Sequence, residues 1–166
     1  MSDSPRLIIG PPETEADLDA IRSLFAEYAA SLGFSLGYQG FDAELAGLPG
    51  KYAPPEGALL LARADGRAAG AVALRPLEPG ICEMKRLYVR PDFRGLRGPD
   101  GLSLGRTLTH RIVEEARSRG YRSLRLDTIA GKMDAAIRVY RSMGFVDIPP
   151  YYPSPVPGTT YLELAL

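Results

Sequence analysis

Apolar residues recur at helical spacing in three segments of the chain, and each segment ends at or just before a glycine. The first, 14–33, opens with Thr14 and Asp17, which form a variant of the capping box. The second spans 103–119 and places its apolar residues on one face, and the third spans 133–144. The pattern predicts one helix in each of these segments.

Shorter segments have the composition or the alternation of β-strands. A turn at Asp65-Gly66 joins two of them into a hairpin, and turn residues at 78–80 lead into the next strand. Segment 34–55 is rich in glycine and proline and has room for one short helix near 42–48, so we expect a mobile, partly ordered connection. The predicted strands are 7–9, 58–64, 68–75, 81–89, 123–128, 145–148 and 160–166. Their order among the helices indicates a mixed α/β sheet with helices on its faces.

Length and composition are those of a globular chain. The 166 residues, 45% hydrophobic and 24% charged, fit one domain over 1–166 and exclude the disordered, fibrous and disulfide-rich classes. The single cysteine, Cys82, cannot form an internal disulfide, and with one histidine, His110, the chain has no cluster for a structural zinc ion. We place neither residue in the functional site and expect no metal.

No sequence feature indicates secretion or a membrane span. The apolar runs are far shorter than the roughly 20 residues that a span needs, and segment 1–5 lacks a secretory pattern. We therefore expect a cytoplasmic protein. Twenty basic and twenty acidic side chains cancel, so no overall positive field draws the chain to nucleic acid or to an anionic membrane.

The overall balance conceals a local excess of positive charge. Residues 85–111 contain seven basic and two acidic side chains, and within 83–107 a predicted strand, a loop with Arg94 and Gly95, and a helix start at Ser103 follow one another. Unpaired amides in the first turn of a helix favour an anion, and glycine allows close approach. Because the P-loop and G-x-G-x-x-G patterns are missing, we expect a phosphate-bearing cofactor of another class.

Two motifs make the chain similar to a known family. Residues 89–95, Val-Arg-Pro-Asp-Phe-Arg-Gly, match V-x-P-x-[aromatic]-[RQ]-G, and residues 136–145 match A-I-x-[VL]-Y-x-x-x-G-F. These motifs and the order of elements resemble the GNAT superfamily of acetyl-coenzyme A-dependent N-acetyltransferases over about 8–166. The resemblance implies a central, mixed, mostly antiparallel twisted sheet with helices on both faces. It also implies direct transfer of an acetyl group from acetyl-CoA to a primary amine.

The chain departs from the family pattern at two places. Gly105 lies eleven positions after Arg94, where the family's R-x-x-G-x-G loop needs five, so six residues are extra. The turn residues at 99–101 predict that this insertion folds outward, and Ser103 takes the place of the first loop glycine. Met133 stands where many members carry an asparagine that contacts the cofactor.

The resemblance assigns roles to residues of the strand-loop-helix unit and of the last helix. Val89 pairs with the pantetheine arm, and the Leu87 amide donates to the thioester carbonyl, where it stabilises developing negative charge. The residues that cradle the pyrophosphate are Arg94, Gly95, Ser103, Leu104, Gly105 and Arg106.

Two side chains correspond to the family's proton-transfer groups. Glu83 corresponds to a base that accepts the amine proton through water, and Tyr140 to the acid that protonates the departing thiolate. Each also has a structural interpretation. Glu83 could instead be a solvated carboxylate or a partner of Arg86, and Tyr140 a core tyrosine whose hydroxyl bonds to the backbone.

Aromatic residues in two loops are predicted to form the acceptor site, because the family places these regions beside the acceptor and loops on a rigid scaffold often carry specificity. They are Phe34, Tyr38, Phe41 and Tyr52 after the first helix and Tyr151 and Tyr152 before the last strand. The sequence leaves the acceptor open among an amino acid, a polyamine, an antibiotic, a peptide amino terminus and a lysine side chain. The acidic first half favours a cationic amine.

Two functions from different classes fit the sequence. The first is N-acetylation of a primary amine of a small molecule or peptide. The alternative is a coenzyme A-binding regulatory or interaction module that keeps the fold without turnover, which the longer loop and Met133 favour. The sequence does not define the oligomeric state, and a homodimer is compatible with it.

Overall fold

The computed structural model describes residues 5–166 and contains one sheet of seven strands. The expectation drawn from the amino-terminal segment lies largely outside this range, since residues 1–4 are not described. The sheet order is β1-β2-β3-β4-β5-β7-β6, and only the β4–β5 pair is parallel. The strands are β1 (Leu7–Gly10), β2 (Ala58–Ala64), β3 (Arg67–Glu78), β4 (Ile81–Val89), β5 (Ser123–Ile129), β6 (Val146–Asp147) and β7 (Thr159–Ala165).

Four α-helices cover the two faces of this sheet. They are α1 (Glu15–Ser31), α2 (Phe41–Ala46), α3 (Leu104–Ser118) and α4 (Asp134–Ser142). One apolar cluster joins the sheet to α3 and α4, and a second joins its other face to α1 and α2. The predicted fold class, a mixed, mostly antiparallel sheet between helices, is therefore confirmed. No helix within the described range 5–166 is long and apolar enough to cross a membrane.

The capping residues predicted from the sequence mark the starts of two helices. Thr14 caps α1, because its Oγ1 accepts a hydrogen bond from the Asp17 amide at 3.1 Å. The return bond of the capping box is shifted by one residue, since Asp17 accepts from the Glu13 amide at 2.9 Å rather than from Thr14. Ser103 caps α3 in the same way through the amide of Arg106.

The segment predicted as a partly ordered connection contains more regular structure than expected. It holds α2 and two short 3-10 turns, Gly37–Gln39 and Gly50–Tyr52. Phe41 and Tyr52 are buried in the cluster under α1, and their burial holds this glycine-rich segment against the sheet. The predicted hairpin is confirmed: Asp65 and Gly66 both have positive φ and join β2 to β3.

The two central parallel strands separate after a short common stretch. β4 and β5 pair only from Ile81 opposite Ser123 to Glu83 opposite Arg125. Beyond that point β4 continues along β3, and β5 continues along β7. The sheet therefore opens into a cleft between its two middle strands.

Candidate active site

A β-bulge lies in β4 where the strand leaves β5. Lys85 stands opposite Ala73 and Tyr88 opposite Ala71, so Arg86 and Leu87 together face one residue of β3. Arg86 has φ 62, a left-handed conformation that is uncommon for a residue with a Cβ atom. The bulge turns the side chains of Lys85 and Arg86, which are consecutive, toward the same face of the sheet, where both contact Gln39.

The cleft holds a cavity of ≈ 550 Å³ that reaches from the start of α3 to the loop after α1. Both separated strands line it, together with α1, α3 and α4. The structure thereby brings most of the predicted site residues to one space. Those that line the cavity are Phe34, Tyr38, Leu87, Val89, Arg94, Ser103, Gly105, Arg106 and Tyr140.

The α3 end of the cavity is built for an anion. The amides of the first helical turn have no partners within the helix, and the positive end of the helix dipole lies beside them. Arg106 lines this region, and its Nε is buried and has no hydrogen-bond partner within residues 5–166. A Cβ built on Gly105 would meet only Val89 Cγ2, at 3.9 Å, so space is open beside the backbone. These features fit a phosphate group.

Two of the predicted cofactor residues do not line the cavity. Gly95 is exposed in the loop, and the side chain of Leu104 is 1% exposed in the core beneath α3. The backbone amide of Leu104 nevertheless belongs to the first turn of α3. Any contribution of Leu104 to anion binding is therefore a backbone contribution.

The inserted loop folds outward, as the turn residues at 99–101 predict. Arg97 and Ser103 form an isolated bridge, and the Gly98 amide donates to the Leu102 carbonyl at 3.0 Å. The Gly101 amide closes the turn on the Gly98 carbonyl at 2.9 Å, with Gly101 at φ 81. The extra residues therefore form a small hairpin that returns the chain to the start of α3.

Tyr140 projects from α4 into the cavity from the face that carries α3. The residue is 5% exposed, and its hydroxyl takes part in no side-chain hydrogen bond within residues 5–166. Burial raises the pKa of Tyr140 above its usual value of 10.0, with smaller contributions from Tyr28 and Asp127. The phenol therefore holds its proton at neutral pH and has it free to donate.

Glu83 is enclosed on the opposite face of the sheet. It is 1% exposed, accepts a hydrogen bond from Arg75 Nε at 2.8 Å and a second from the Tyr151 hydroxyl at 2.5 Å, and does not line the cavity. The partner suggested by the sequence, Arg86, instead pairs with Glu44. The catalytic role of Glu83 stays a prediction.

Asp127 on β5 is the carboxylate that lines the cavity, and no other carboxylate of the described chain does so. Its Oδ2 accepts from the Tyr152 hydroxyl at 2.7 Å, and its Oδ1 lies 3.4 Å from Lys85 Nζ. Sequence reasoning missed both Asp127 and Lys85. The available signal was the spacing along each strand: Lys85 lies two residues after Glu83, and Asp127 lies two residues after Arg125. Glu83 and Arg125 form the last β4–β5 pair, so each missed residue lies on the same face of its strand as a member of that pair.

Two of the six predicted acceptor residues line the cavity and four do not; one of the four, Tyr52, is buried in the cluster under α1. Phe34 and Tyr38 line the cavity, whereas Phe41 is buried beneath the Arg86 guanidinium, 5.1 Å from the ring centroid. Tyr151 and Tyr152 lie behind the cavity wall and hold the two carboxylates Glu83 and Asp127 by hydrogen bonds.

Cys82 and His110 do not line the cavity, whereas Met133 does. Cys82 is buried on the α3 side, where burial raises the pKa of its thiol to about 12, and His110 is exposed on α3. Met133 packs toward α1, and its sulfur accepts the Thr128 hydroxyl at 3.3 Å. Across residues 5–166, no three His, Cys, Asp or Glu side chains are grouped to hold a metal ion.

A separated central strand pair, a bulge beside it and a helix start suited to an anion therefore meet at one cavity. The sequence model of the acetyltransferase (GNAT) family matches residues 19–145, and the chain belongs to this family. An uncharacterized N-acetyltransferase of Schizosaccharomyces pombe is 43% identical over 152 residues, which cover 90% of this chain and 89% of the relative.

Solved structures share the fold. An acetyltransferase from Streptococcus agalactiae superposes with a TM-score of 0.76 at 21% identity, covering 96% of this chain and 98% of its own. The structure of yncA from Salmonella typhimurium with its cofactor acetyl-CoA gives a TM-score of 0.64 at 20% identity, covering 96% of this chain and 93% of its own.

Proposed function

We propose that this acyltransferase transfers an acetyl group from acetyl-CoA directly to a primary amine of a small molecule or peptide. The observation that carries the proposal is the position of Tyr140, whose proton-bearing hydroxyl faces the same cavity as the anion-binding start of α3. One cavity thus joins a site for a phosphate group to a proton donor. Membership of the acetyltransferase family supports the same reaction.

The residues at the α3 end fit coenzyme A. The unpartnered Arg106 Nε and the first-turn amides are suited to the pyrophosphate, and Arg94 lines the cavity beside them. Val89, on the strand that leads inward, is suited to the pantetheine arm. When bound, acetyl-CoA supplies the activated acyl group and a thiolate leaving group.

Leu87 is proposed to polarise the thioester. The bulge takes Leu87 out of regular pairing with β3, and β5 has already separated from β4 at this level. Its amide is therefore free to donate into the cleft, toward a carbonyl oxygen that gains negative charge as the amine attacks. The amide is fixed in the backbone, so it needs no reorganisation during the reaction.

Three proton movements complete the reaction. The nitrogen–carbon bond forms, the carbon–sulfur bond breaks, Tyr140 gives its proton to the thiolate, and the proton that the acylated nitrogen then loses restores the phenol. An acceptor ammonium with a pKa of about 10.4 is neutral in only about one molecule in a thousand at pH 7, so its proton must be removed. We assign this proton to Asp127, which lines the cavity, whereas Glu83 reaches the cavity only if water or a movement of Tyr151 connects them.

The test is release of the coenzyme A thiol with saturating acetyl-CoA and a panel of amines. We expect Tyr140→Phe to lower kcat by about 100-fold without weakening acetyl-CoA binding, because general acids typically contribute that factor or more. Tyr121→Phe is the matched control, since its hydroxyl bonds to the Glu56 carbonyl away from the cavity.

The carboxylate variants separate the two candidate bases. We expect Asp127→Asn to lower kcat and Glu83→Gln to have the smaller effect on kcat, because only the first residue lines the cavity. A larger loss in Glu83→Gln would assign the base to Glu83. Acetyl-CoA binding without thiol release from any amine would favour the inactive binding module instead.

A further inference from the structure

Three ion pairs lie on the face of the sheet that carries α1, and within each pair the two opposite charges offset each other. Arg75 pairs with Glu83 at 2.8 Å, Arg86 pairs with Glu44 at 3.0 Å, and Lys85 pairs with Asp127 at 3.4 Å. Each pair has at least one member whose side chain is at most 7% exposed. Within residues 5–166, each of these three carboxylates is therefore already paired with a cation.

The Lys85–Asp127 pair differs from the other two in its position. Both of its members line the cavity, whereas Glu44, Arg75 and Glu83 do not. It is also the loosest of the three pairs, with one contact of 3.4 Å, while Arg86 and Glu44 form two contacts of 3.0 and 3.1 Å. A molecule bound in the cavity can therefore contact both charged groups of this pair.

Lys85 has too few partners for its burial. The side chain is 7% exposed, yet its ammonium group, which has three donors, makes only two contacts within residues 5–166. These are Gln39 Oε1 at 3.2 Å, an oxygen that also accepts from Arg86, and Asp127 Oδ1. A buried cation with long contacts is suited to a further negatively charged partner in the cavity.

We propose that the acceptor is a free α-amino acid, which brings its own carboxylate to Lys85 while its ammonium group meets Asp127. The amine nitrogen and the carboxyl carbon of an α-amino acid are about 2.5 Å apart, from standard bond lengths and angle. The two charged groups of such a molecule can therefore lie side by side along a pair whose charged atoms are 3.4 Å apart. This inference rests on the proposed acetyl transfer and names its acceptor.

Other acceptors fit this charge pattern less well. A polyamine or a lysine side chain brings positive charge beside Lys85 and Arg86 without a carboxylate to offset it. The carboxylates of the acidic first half do not line the cavity and so give no preference for a cation. Tyr28, Phe34 and Leu36 also line the cavity, which favours an amino acid with an apolar or aromatic side chain.

The experiment compares acceptors that differ only in the carboxylate. Phenylalanine, phenylalaninamide and phenethylamine form one set, and leucine, leucinamide and isoamylamine form a second. Thiol release is measured with the full chain and saturating acetyl-CoA from about pH 7 to about pH 9, so that differences in amine protonation can be corrected. Calorimetric titration of the same compounds into the chain saturated with coenzyme A measures their binding without turnover.

We expect the amino acid of at least one set to exceed its amide and its decarboxylated amine by about 10- to 100-fold in kcat/KM, the value of one charge-assisted hydrogen bond. Lys85→Met should reduce this ratio at least tenfold, because of the three acceptors in a set only the amino acid carries the carboxylate that Lys85 binds. A merely structural role of Lys85 would lower all rates together.

The two hypotheses fail in different ways. Equal kcat/KM for all members of both sets would overturn the amino acid assignment and leave the proposed acetyl transfer standing. If no amine releases thiol, the proposed function fails, and the calorimetric comparison then decides the inference: tighter binding of the amino acids supports it, and equal or absent binding overturns it.

Discussion

Replacing Glu44 by alanine tests whether one buried ion pair holds the bulge beside the cleft. Both carboxylate oxygens of Glu44 accept from the Arg86 guanidinium, at 3.0 and 3.1 Å. The side chain of Arg86 is 2% exposed, and its backbone has φ 62. Without Glu44, the buried guanidinium keeps one hydrogen bond, to Gln39 at 2.7 Å, and its position over the Phe41 ring, and the left-handed backbone of Arg86 loses a restraint.

The expected loss in the free energy of unfolding is about 3 kcal/mol, the lower end of the range for breaking a buried ion pair. The lower end applies because Glu44 is 17% exposed and borders a second cavity of ≈ 300 Å³, through which water can reach the guanidinium. Urea unfolding followed by circular dichroism measures the loss. Asp147→Ala is the control, because its pair with Arg141 is 63% and 53% exposed, and it should lose at most about 1 kcal/mol.

The same variant should also separate binding from chemistry. We expect kcat to fall, because the bulge sets the direction of the Leu87 amide, while the dissociation constant of acetyl-CoA changes little, because the start of α3 is built independently. Equal losses of stability in Glu44→Ala and Asp147→Ala would refute the assignment of the bulge to this pair. So would an unchanged kcat in a chain that has been destabilised as expected.

Three further outcomes follow from single contacts. Arg106→Gln should weaken acetyl-CoA binding about tenfold or more with an unchanged unfolding midpoint, since a charged donor to phosphate is lost. Gly70→Ala should lower the free energy of unfolding by about 1–3 kcal/mol, because its Cβ would lie 2.7 Å from a β4 backbone oxygen, whereas Gly10→Ala meets nothing within 4 Å. The pKa of Asp17 is held below 3.8, chiefly by the hydrogen bond from the Glu13 amide. The stabilisation that this carboxylate contributes is therefore complete above pH 3.8 and is lost as the pH falls below that value. The difference in free energy of unfolding between the unchanged chain and Asp17→Asn should shrink in acid.

Much of the fold follows from signals that act over a few residues. The helix starts at Thr14 and Ser103 follow from side chains that accept the first free amides, and the hairpin at Asp65 follows from turn residues that tolerate positive φ. The anion-binding start of α3 follows from the same local logic. The regular structure within 34–55 was underestimated, because there the burial of Phe41 and Tyr52 against distant strands outweighs a glycine-rich sequence.

The division of roles between Glu83 and Asp127 depends on the tertiary structure. Each is the one carboxylate in a strand whose polar and apolar residues alternate, so the local sequence pattern cannot distinguish them. Separation of β4 from β5 leaves Asp127 facing the cavity, while Arg75 and Tyr151, eight and sixty-eight residues from Glu83 in the chain, enclose the other carboxylate. The sequence by itself predicted most of the elements and the segment proposed to bind phosphate, because hydrogen bonds within a turn or a cap need only neighbours. Which charges face the cavity was decided by strand pairing between distant segments, since only that pairing fixes where the sheet opens.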